Sequence, residues 1–202
     1  MKYGLIGEKL SHSFSKEIHE SLAPYSYELC EISRVELAPF LQKREFSAIS
    51  VTIPYKKDVI SHLDYVSPVA EKLQAVNTIV NRNGKLYGYN TDYYGMRDLI
   101  LRSGIDIKGK KVLILGTGAT SRTSALVCKD LCADELIFVS RNKKEGAITY
   151  EDAQSLHNDA EVIINTTPVG MYPDSYSSPL DVEGFEKLCA VFDAVYNPFA
   201  HK

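Results

Sequence analysis

One stretch limits the folds open to this chain more than any other: residues 109–142, GKKVLILGTGATSRTSALVCKDLCADELIFVSRN. Residues 112–115 are apolar without alternation, as in a strand buried on both faces of a parallel sheet. A glycine turn follows, then a helical stretch, then a second apolar run at 136–139. This is the order of a β-α-β unit. The turn Gly116-Thr117-Gly118-Ala119-Thr120-Ser121 fits the Gly-x-Gly-x-x-small pattern. Gly116 permits a tight turn, Gly118 lets a pyrophosphate approach the backbone, and a small residue at 121 lets the helix sit close to the sheet. The helix N-terminus attracts the anion. The stretch predicts a dinucleotide site.

The end of the second strand bears on which dinucleotide it takes. An acidic residue about 20 positions beyond the glycines usually holds the ribose 2′-hydroxyl of NAD. Here the sequence is Ser140-Arg141-Asn142-Lys143-Lys144. A guanidinium can stack on adenine and pair with a 2′-phosphate that a carboxylate would repel. NADP is the expected cofactor, with NAD as the alternative.

Apolar runs and helix-like stretches alternate along the rest of the chain, so the class is α/β. The first half predicts a strand at 2–7, a helix from Ser15 to about Leu22, a strand at 25–32, a helix at 35–44 and a strand at 47–53. Ser67 is placed to cap a helix that has Pro68 at its first position. Residues 75–90 form a hairpin candidate turning at Asn83-Gly84. A helix after Asp92 is expected to bury Met96, Leu99 and Ile100 and to close at Gly104. Two further strands are expected within 160–171 and 188–198, and the polar span before them is too short for a full helix–strand–helix. The expected domains are 1–92 and 93–202.

With 202 residues, 45% hydrophobic and 24% charged, and a net charge of −3, the composition is that of a soluble globular protein. It gives no sign of general affinity for nucleic acid or membrane. No apolar stretch approaches the ~20 residues of a membrane span, and the first residues do not form a secretory signal. Cys30, Cys128, Cys132 and Cys189 have no metal-binding spacing and are expected as free thiols in the cytoplasm. Cys128 and Cys132, four apart, are expected to share a buried helix face.

Three polar stretches of the first half remain. In LSHSFS (residues 10–15) an extended backbone would put Ser11, Ser13 and Ser15 on one face, either as a cap and turn for the next helix or as hydroxyls for a ligand. In SVTIPYKKD, Thr52 and Lys56 lie just past a strand; in GYNTD, Asp92 could cap the following helix. Beside a nicotinamide site, a lysine and a carboxylate also have a task, because ketone reduction needs a proton on oxygen as well as hydride on carbon.

These motifs, in their order, resemble the shikimate dehydrogenase family. GEKLSHSFSKEIH is similar to its opening serine motif and SVTIPYKK to its N-V-T-x-P-x-K. AVNTIV, YNTDYYG, GTGATSR, SRN, IINTTPVGM and DAVYNP follow in the family's order. Ser50 stands where the family usually has Asn, and Lys16 where it usually has Pro. The resemblance implies an N-terminal α/β substrate domain followed by a Rossmann-type NADP domain. The implied activity is reversible reduction of 3-dehydroshikimate to shikimate. An NAD-using quinate/shikimate dehydrogenase and a non-catalytic NADP- or shikimate-binding relative are the alternatives. Ser13 and Ser15, assisted by Tyr196, would bind the substrate carboxylate. Thr52, Lys56, Asn77 and Asp92 would bind ring hydroxyls, with Lys56 and Asp92 the catalytic pair. Gly116, Thr117, Gly118, Ala119 and Thr120 would hold the pyrophosphate. Ser140, Arg141 and Asn142 would hold the adenosine phosphate end, and Ala194 would lie near the nicotinamide. No metal is implied. Family members continue past the position of Tyr196 with helices that return to the first domain. These are expected to be lacking here, with a homodimer as one way to cover the apolar surface left exposed.

Overall fold

The computed structural model describes residues 1–10 and 13–195. The chain divides into two compact units, Met1–Thr91 and Asp92–Lys202.

In the first unit the strands are β1 (Tyr3–Gly7), β2 (Glu28–Glu31), β3 (Ala48–Val51), β4 (Tyr65–Val66), β5 (Thr78–Arg82) and β6 (Lys85–Tyr89), and the helices are α1 (Ser15–Leu22), α2 (Arg34–Lys43) and α3 (Pro68–Leu73). A single sheet runs in the order β2-β1-β3-β5-β6-β4. β1 is parallel to β2 and β3, whereas β5 is antiparallel to β3 and β6. One face carries the main core, in which Ile6, Ile49, Val51, Ile79 and Leu86 meet Leu37 and Leu41 of α2. The other face has a smaller cluster of Leu5, Leu10 and Tyr27, flanked by Tyr3 and Tyr25. No residue of α1 is buried, and its Phe14, Ile18 and Leu22 side form an exposed apolar stripe.

Local chemistry accounts for the element ends. Ser67 accepts a hydrogen bond from the Ala70 amide at 3.4 Å, with Pro68 at the first turn of α3. Asn83 and Gly84 both take positive φ, 52° and 80°, and close the β5–β6 hairpin with Arg82 opposite Lys85. That conformation is the reason an Asn-Gly pair makes a two-residue turn.

The second unit holds α4 (Asp92–Arg102), α5 (Ala119–Asp130) and α6 (Tyr150–Leu156), with strands β7 (Lys111–Leu115), β8 (Glu135–Val139), β9 (Val162–Asn165) and β10 (Ala190–Asp193). All four strands are parallel, in the order β10-β9-β7-β8. This is a Rossmann-type, doubly wound arrangement whose order reverses at β7. Among the described residues no strand lies beyond β8, and the single helix α6 carries the chain from β8 to β9. Leu113, Leu115 and Ile163 pack with Ala153 of α6 and with Leu180 and Phe185.

Two expectations are corrected here. α4 buries Tyr93, Met96 and Ile100, while Leu99 is 45% exposed. At 100° per residue, positions 93, 96 and 100 cluster on one side and 99 falls away from them. Cys128 is fully buried, and burial pushes its thiol up to about 12. Cys132 is exposed, because α5 ends at Asp130 and residue 132 turns away with φ 63°.

Candidate active site

Strand direction gathers the polar stretches of the first unit at one edge of its sheet. β1 and β3 are parallel, so the loops leaving their carboxyl ends, residues 8–14 and 52–57, emerge side by side. β5 runs the other way, so Asn77 at its start lies at the same edge, as does Thr91 after β6. Open α/β sheets bind ligands at such carboxyl ends.

In the first loop the Leu10 amide donates to Glu31 at 2.7 Å, and the Ser13 amide donates to the Leu10 carbonyl at 3.1 Å. The Ser13 and Ser15 hydroxyls bond each other at 3.1 Å, and Ser13 Oγ also accepts from the Ser15 amide at 3.2 Å. Both serines are half-buried. Ser13 closes the turn before α1 and the two hydroxyls end up together, but the residue at the helix N-cap is Phe14 and no side chain caps it, so the turn part of the first reading holds and the cap part does not. Ser11 and His12 lie outside the described residues.

The second loop is held from below. The Thr52 amide donates to the Ile6 carbonyl at 3.0 Å, and Gly7 makes room for this approach, since a Cβ there would sit 2.7 Å from Thr52 Cγ2. The Ile53–Pro54 peptide is cis. Tyr55 is fully buried, and its hydroxyl donates to the Ile32 carbonyl at 2.7 Å. The next residue, Lys56, is half-buried and accepts the Val76 amide on its carbonyl at 2.7 Å. A buried phenol on one side and a backbone bond on the other fix where the Lys56 side chain starts.

Asn77 is a structural tie as well as a site candidate. Its carbonyl oxygen accepts from the Thr91 amide at 2.8 Å and from the Thr78 hydroxyl at 3.1 Å, and its amide donates to Thr91 Oγ1 at 3.0 Å. The last residue of the first unit is thereby held in place. Asp92 follows as the first residue of α4, exposed, inside the helix rather than preceding it.

In the second unit the glycine loop leaves β7 at the reversal point. Gly116 has φ 111°, and a Cβ there would lie 2.9 Å from Thr166 Oγ1 and 3.2 Å from Ser121 Oγ. Ser121 is fully buried; its hydroxyl accepts from the Gly118 amide at 3.0 Å and bonds Thr166 Oγ1 at 2.7 Å. Gly118 has φ −85°, and a Cβ there would meet nothing within 4 Å. The loop thus has one glycine required by its own fold and one facing open space. Thr117, Ala119 and Thr120 complete it, and the first-turn amides of α5 lack intrahelical acceptors. This cradle fits a pyrophosphate.

At the carboxyl end of β8, Ser140 is buried and its amide donates to the Ile148 carbonyl at 2.8 Å, while Arg141 and Asn142 are exposed. Ala194 follows β10 and donates its amide to the Asn165 carbonyl at 2.9 Å. Tyr196 lies outside the described residues. Sequence reasoning missed two contributors. Lys144 donates to Thr117 Oγ1 at 2.9 Å, bringing a cation to the glycine loop. Thr166 braces that loop through Ser121 and through the Leu115 carbonyl, which it reaches at 2.5 Å. The basic run at 141–144 was the signal for the first; the Asn-Thr-Thr after β9 was the signal for the second.

Comparison with known proteins agrees with this geometry. Residues 5–79 match the model of the shikimate dehydrogenase substrate binding domain. The NADP(+) shikimate dehydrogenase of Clostridium beijerinckii is 36% identical over 97% of this chain and 78% of its own length. The crystal structure of shikimate dehydrogenase 1 from Peptoclostridium difficile superposes with a TM-score of 0.83 at 35% identity, covering 100% of this chain and 80% of that one. The Thermus thermophilus shikimate 5-dehydrogenase, solved with NADP(H) and shikimate, gives a TM-score of 0.83 at 30% identity over 98% of this chain and 80% of that one. With a serine pair and a lysine at the carboxyl edge of the first unit's sheet, a glycine cradle after β7 in the second unit's own sheet, and this likeness along nearly its whole length, the chain belongs to the shikimate dehydrogenase family.

Proposed function

We propose that this chain catalyses the NADP-dependent, reversible reduction of 3-dehydroshikimate to shikimate, a step of aromatic amino-acid biosynthesis. The observation that carries the reading is the likeness, over 98% of the chain, to an enzyme solved with both NADP(H) and shikimate. The Ser13 and Ser15 hydroxyls donate to the substrate carboxylate, with Tyr196 assisting. Thr52, Lys56, Asn77 and Asp92 bind the ring hydroxyls. When bound, NADPH supplies the hydride that reaches the ketone carbon. The Lys56 ammonium donates the proton that the carbonyl oxygen needs as its charge grows, and Asp92 orients that ammonium. Lys56 is left neutral and regains its proton from water. Gly118 and the start of α5 support the pyrophosphate; Arg141 and Asn142, with Ser140 behind them and Lys144 beside the loop, suit the 2′-phosphate. Ala194 would lie near the nicotinamide.

Four cysteines present as thiols support a cytoplasmic site of action, and among the described residues no helix is long and apolar enough to cross a membrane. The exposed stripe on α1 supports self-association, which sedimentation velocity reads directly. The test of function is NADP+ reduction by the purified chain with shikimate as the reductant. Turnover with NADP+ well above that with NAD+ is expected. Binding of both ligands without turnover identifies a non-catalytic family member, and preference for NAD+ overturns the cofactor assignment.

A further inference from the structure

His19 lies on α1 one turn after Ser15, so the two side chains share a helix face, and the histidine leans back toward the serine. Its ring is held on two sides. It stacks on Tyr27 with centroids 4.0 Å apart and planes 6° from parallel, and its Nδ1 lies 2.6 Å from the Tyr25 hydroxyl. Tyr27, 3% exposed, donates its hydroxyl to Ser50 Oγ at 2.8 Å, and its amide donates to Glu20 of α1 at 3.0 Å. Burial pushes the Tyr27 phenol up, against the opposing effect of Ser50, so it stays a donor. Ser50 sits on β3 two residues before Thr52 and pairs across the sheet with Thr78, whose hydroxyl reaches Asn77.

Along α1, Ser15 and His19 share a face one turn apart, and from His19 contacts run through Tyr27 and Ser50 into the strand that leads to Thr52 and Lys56. α1 needs such a tie. None of its own residues is buried, and no side chain caps its N-terminus, so apolar packing alone does not fix where its serines stand.

We infer that His19 is a positioning residue for the carboxylate end of the substrate: clamped by Tyr25 and Tyr27, it holds α1 and its Ser13–Ser15 pair in register with β3. The inference rests on the proposed shikimate site. It makes Tyr27 and Ser50 parts of the same device. With Ser50 in place of the family's usual Asn, the short hydroxyl still gives the Tyr27 phenol a partner.

The test compares wild type with His19→Phe, which retains a ring for Tyr27 but loses the Tyr25 bond, with His19→Leu, which loses both, and with Tyr27→Phe, which loses only the bond to Ser50. Shikimate and its methyl ester are the two substrates, and circular dichroism melts accompany the kinetics. For His19→Leu the KM for shikimate rises about tenfold, as expected for a displaced hydrogen-bonded carboxylate. kcat falls no more than about threefold, the KM for NADP+ is unchanged, and the KM for the uncharged ester changes less than that for the acid. His19→Phe and Tyr27→Phe fall between. A shikimate KM within twofold of wild type in His19→Leu overturns the inference. So do equal rises for acid and ester, or parallel losses for shikimate and NADP+, which mark general loosening. A wild-type chain that neither binds nor oxidises shikimate overturns the functional reading itself, and this inference with it.

Discussion

The two glycines of the nucleotide loop should fail in opposite ways when each becomes alanine. At Gly116 the backbone has φ 111°, which L side chains rarely adopt. Holding a non-glycine residue in such a region costs about 1–3 kcal/mol. The added Cβ would also sit 2.9 Å from Thr166 Oγ1 and 3.2 Å from Ser121 Oγ, against a pair bonded at 2.7 Å. Forcing that bond apart adds about 1 kcal/mol. Gly116→Ala should therefore destabilise the chain by roughly 2–4 kcal/mol, a melting decrease of about 5–15 °C. At Gly118 φ is −85° and nothing lies within 4 Å, so alanine is accommodated. The poorer helix cap costs about 0.5–1 kcal/mol, and the stiffer unfolded chain returns a similar amount, about 0.4–1 kcal/mol. Gly118→Ala should melt within a few degrees of wild type, yet place a methyl group where the pyrophosphate approaches. A rise of about tenfold or more in the KM for NADP+ is expected, equivalent to 1.4 kcal/mol of lost binding. Thermal melts and steady-state kinetics of the two variants decide the matter. If Gly116→Ala melts like wild type, the strain argument fails. If Gly118→Ala keeps its KM within twofold, the anion does not lie over that residue.

Three further outcomes follow from the geometry. Arg141→Ala should lower the preference for NADP+ over NAD+, read as a ratio of kcat/KM values, by about 10–100-fold, the worth of a charge-assisted hydrogen bond; an unchanged ratio removes Arg141 from the 2′-phosphate site. Tyr93 donates to Asp130 at 2.6 Å, and burial, with the bonded carboxylate adding to it, pushes its phenol up from 10.0 to about 12. Because the folded value is the higher one, this contribution is complete below about pH 10 and is lost as pH rises toward 12. Urea unfolding across that window should show the fall in wild type and a shallower one in Tyr93→Phe. Asn77→Ala strands the Thr91 amide and should cost about 1–3 kcal/mol in chemical denaturation. A loss under 0.5 kcal/mol would show that the tie to Thr91 carries little.

Much of this molecule was legible in its residues because short-range chemistry wrote it. The glycine turn between two apolar runs, Asn83-Gly84 between alternating runs, and Ser67-Pro68 before a helix each specify a local conformation that tertiary contacts do not override. What escaped was set by contacts far apart in sequence. Leu99 looked like core because apolar character was read without its helical angle, while Tyr93, amphipathic, took the buried place. The 3₁₀ turn at Asp58–His62 and the two-residue β4 are too short to show a period. Lys144 was visible as one cation in a basic run, but nothing in the run said that it reaches Thr117, 27 positions away. His19 was hidden in the same way: its partners, Tyr25 and Tyr27, become neighbours only when the chain turns back after α1.

The most direct test of the account is the rate of shikimate-dependent NADP+ reduction by Lys56→Ala measured beside wild type, with shikimate binding followed by calorimetry. If Lys56 supplies the proton, the variant should still bind NADP+ and fold normally, while kcat falls by about 10²–10⁴-fold. Turnover within a few-fold of wild type would contradict the assignment of Lys56 as the proton donor.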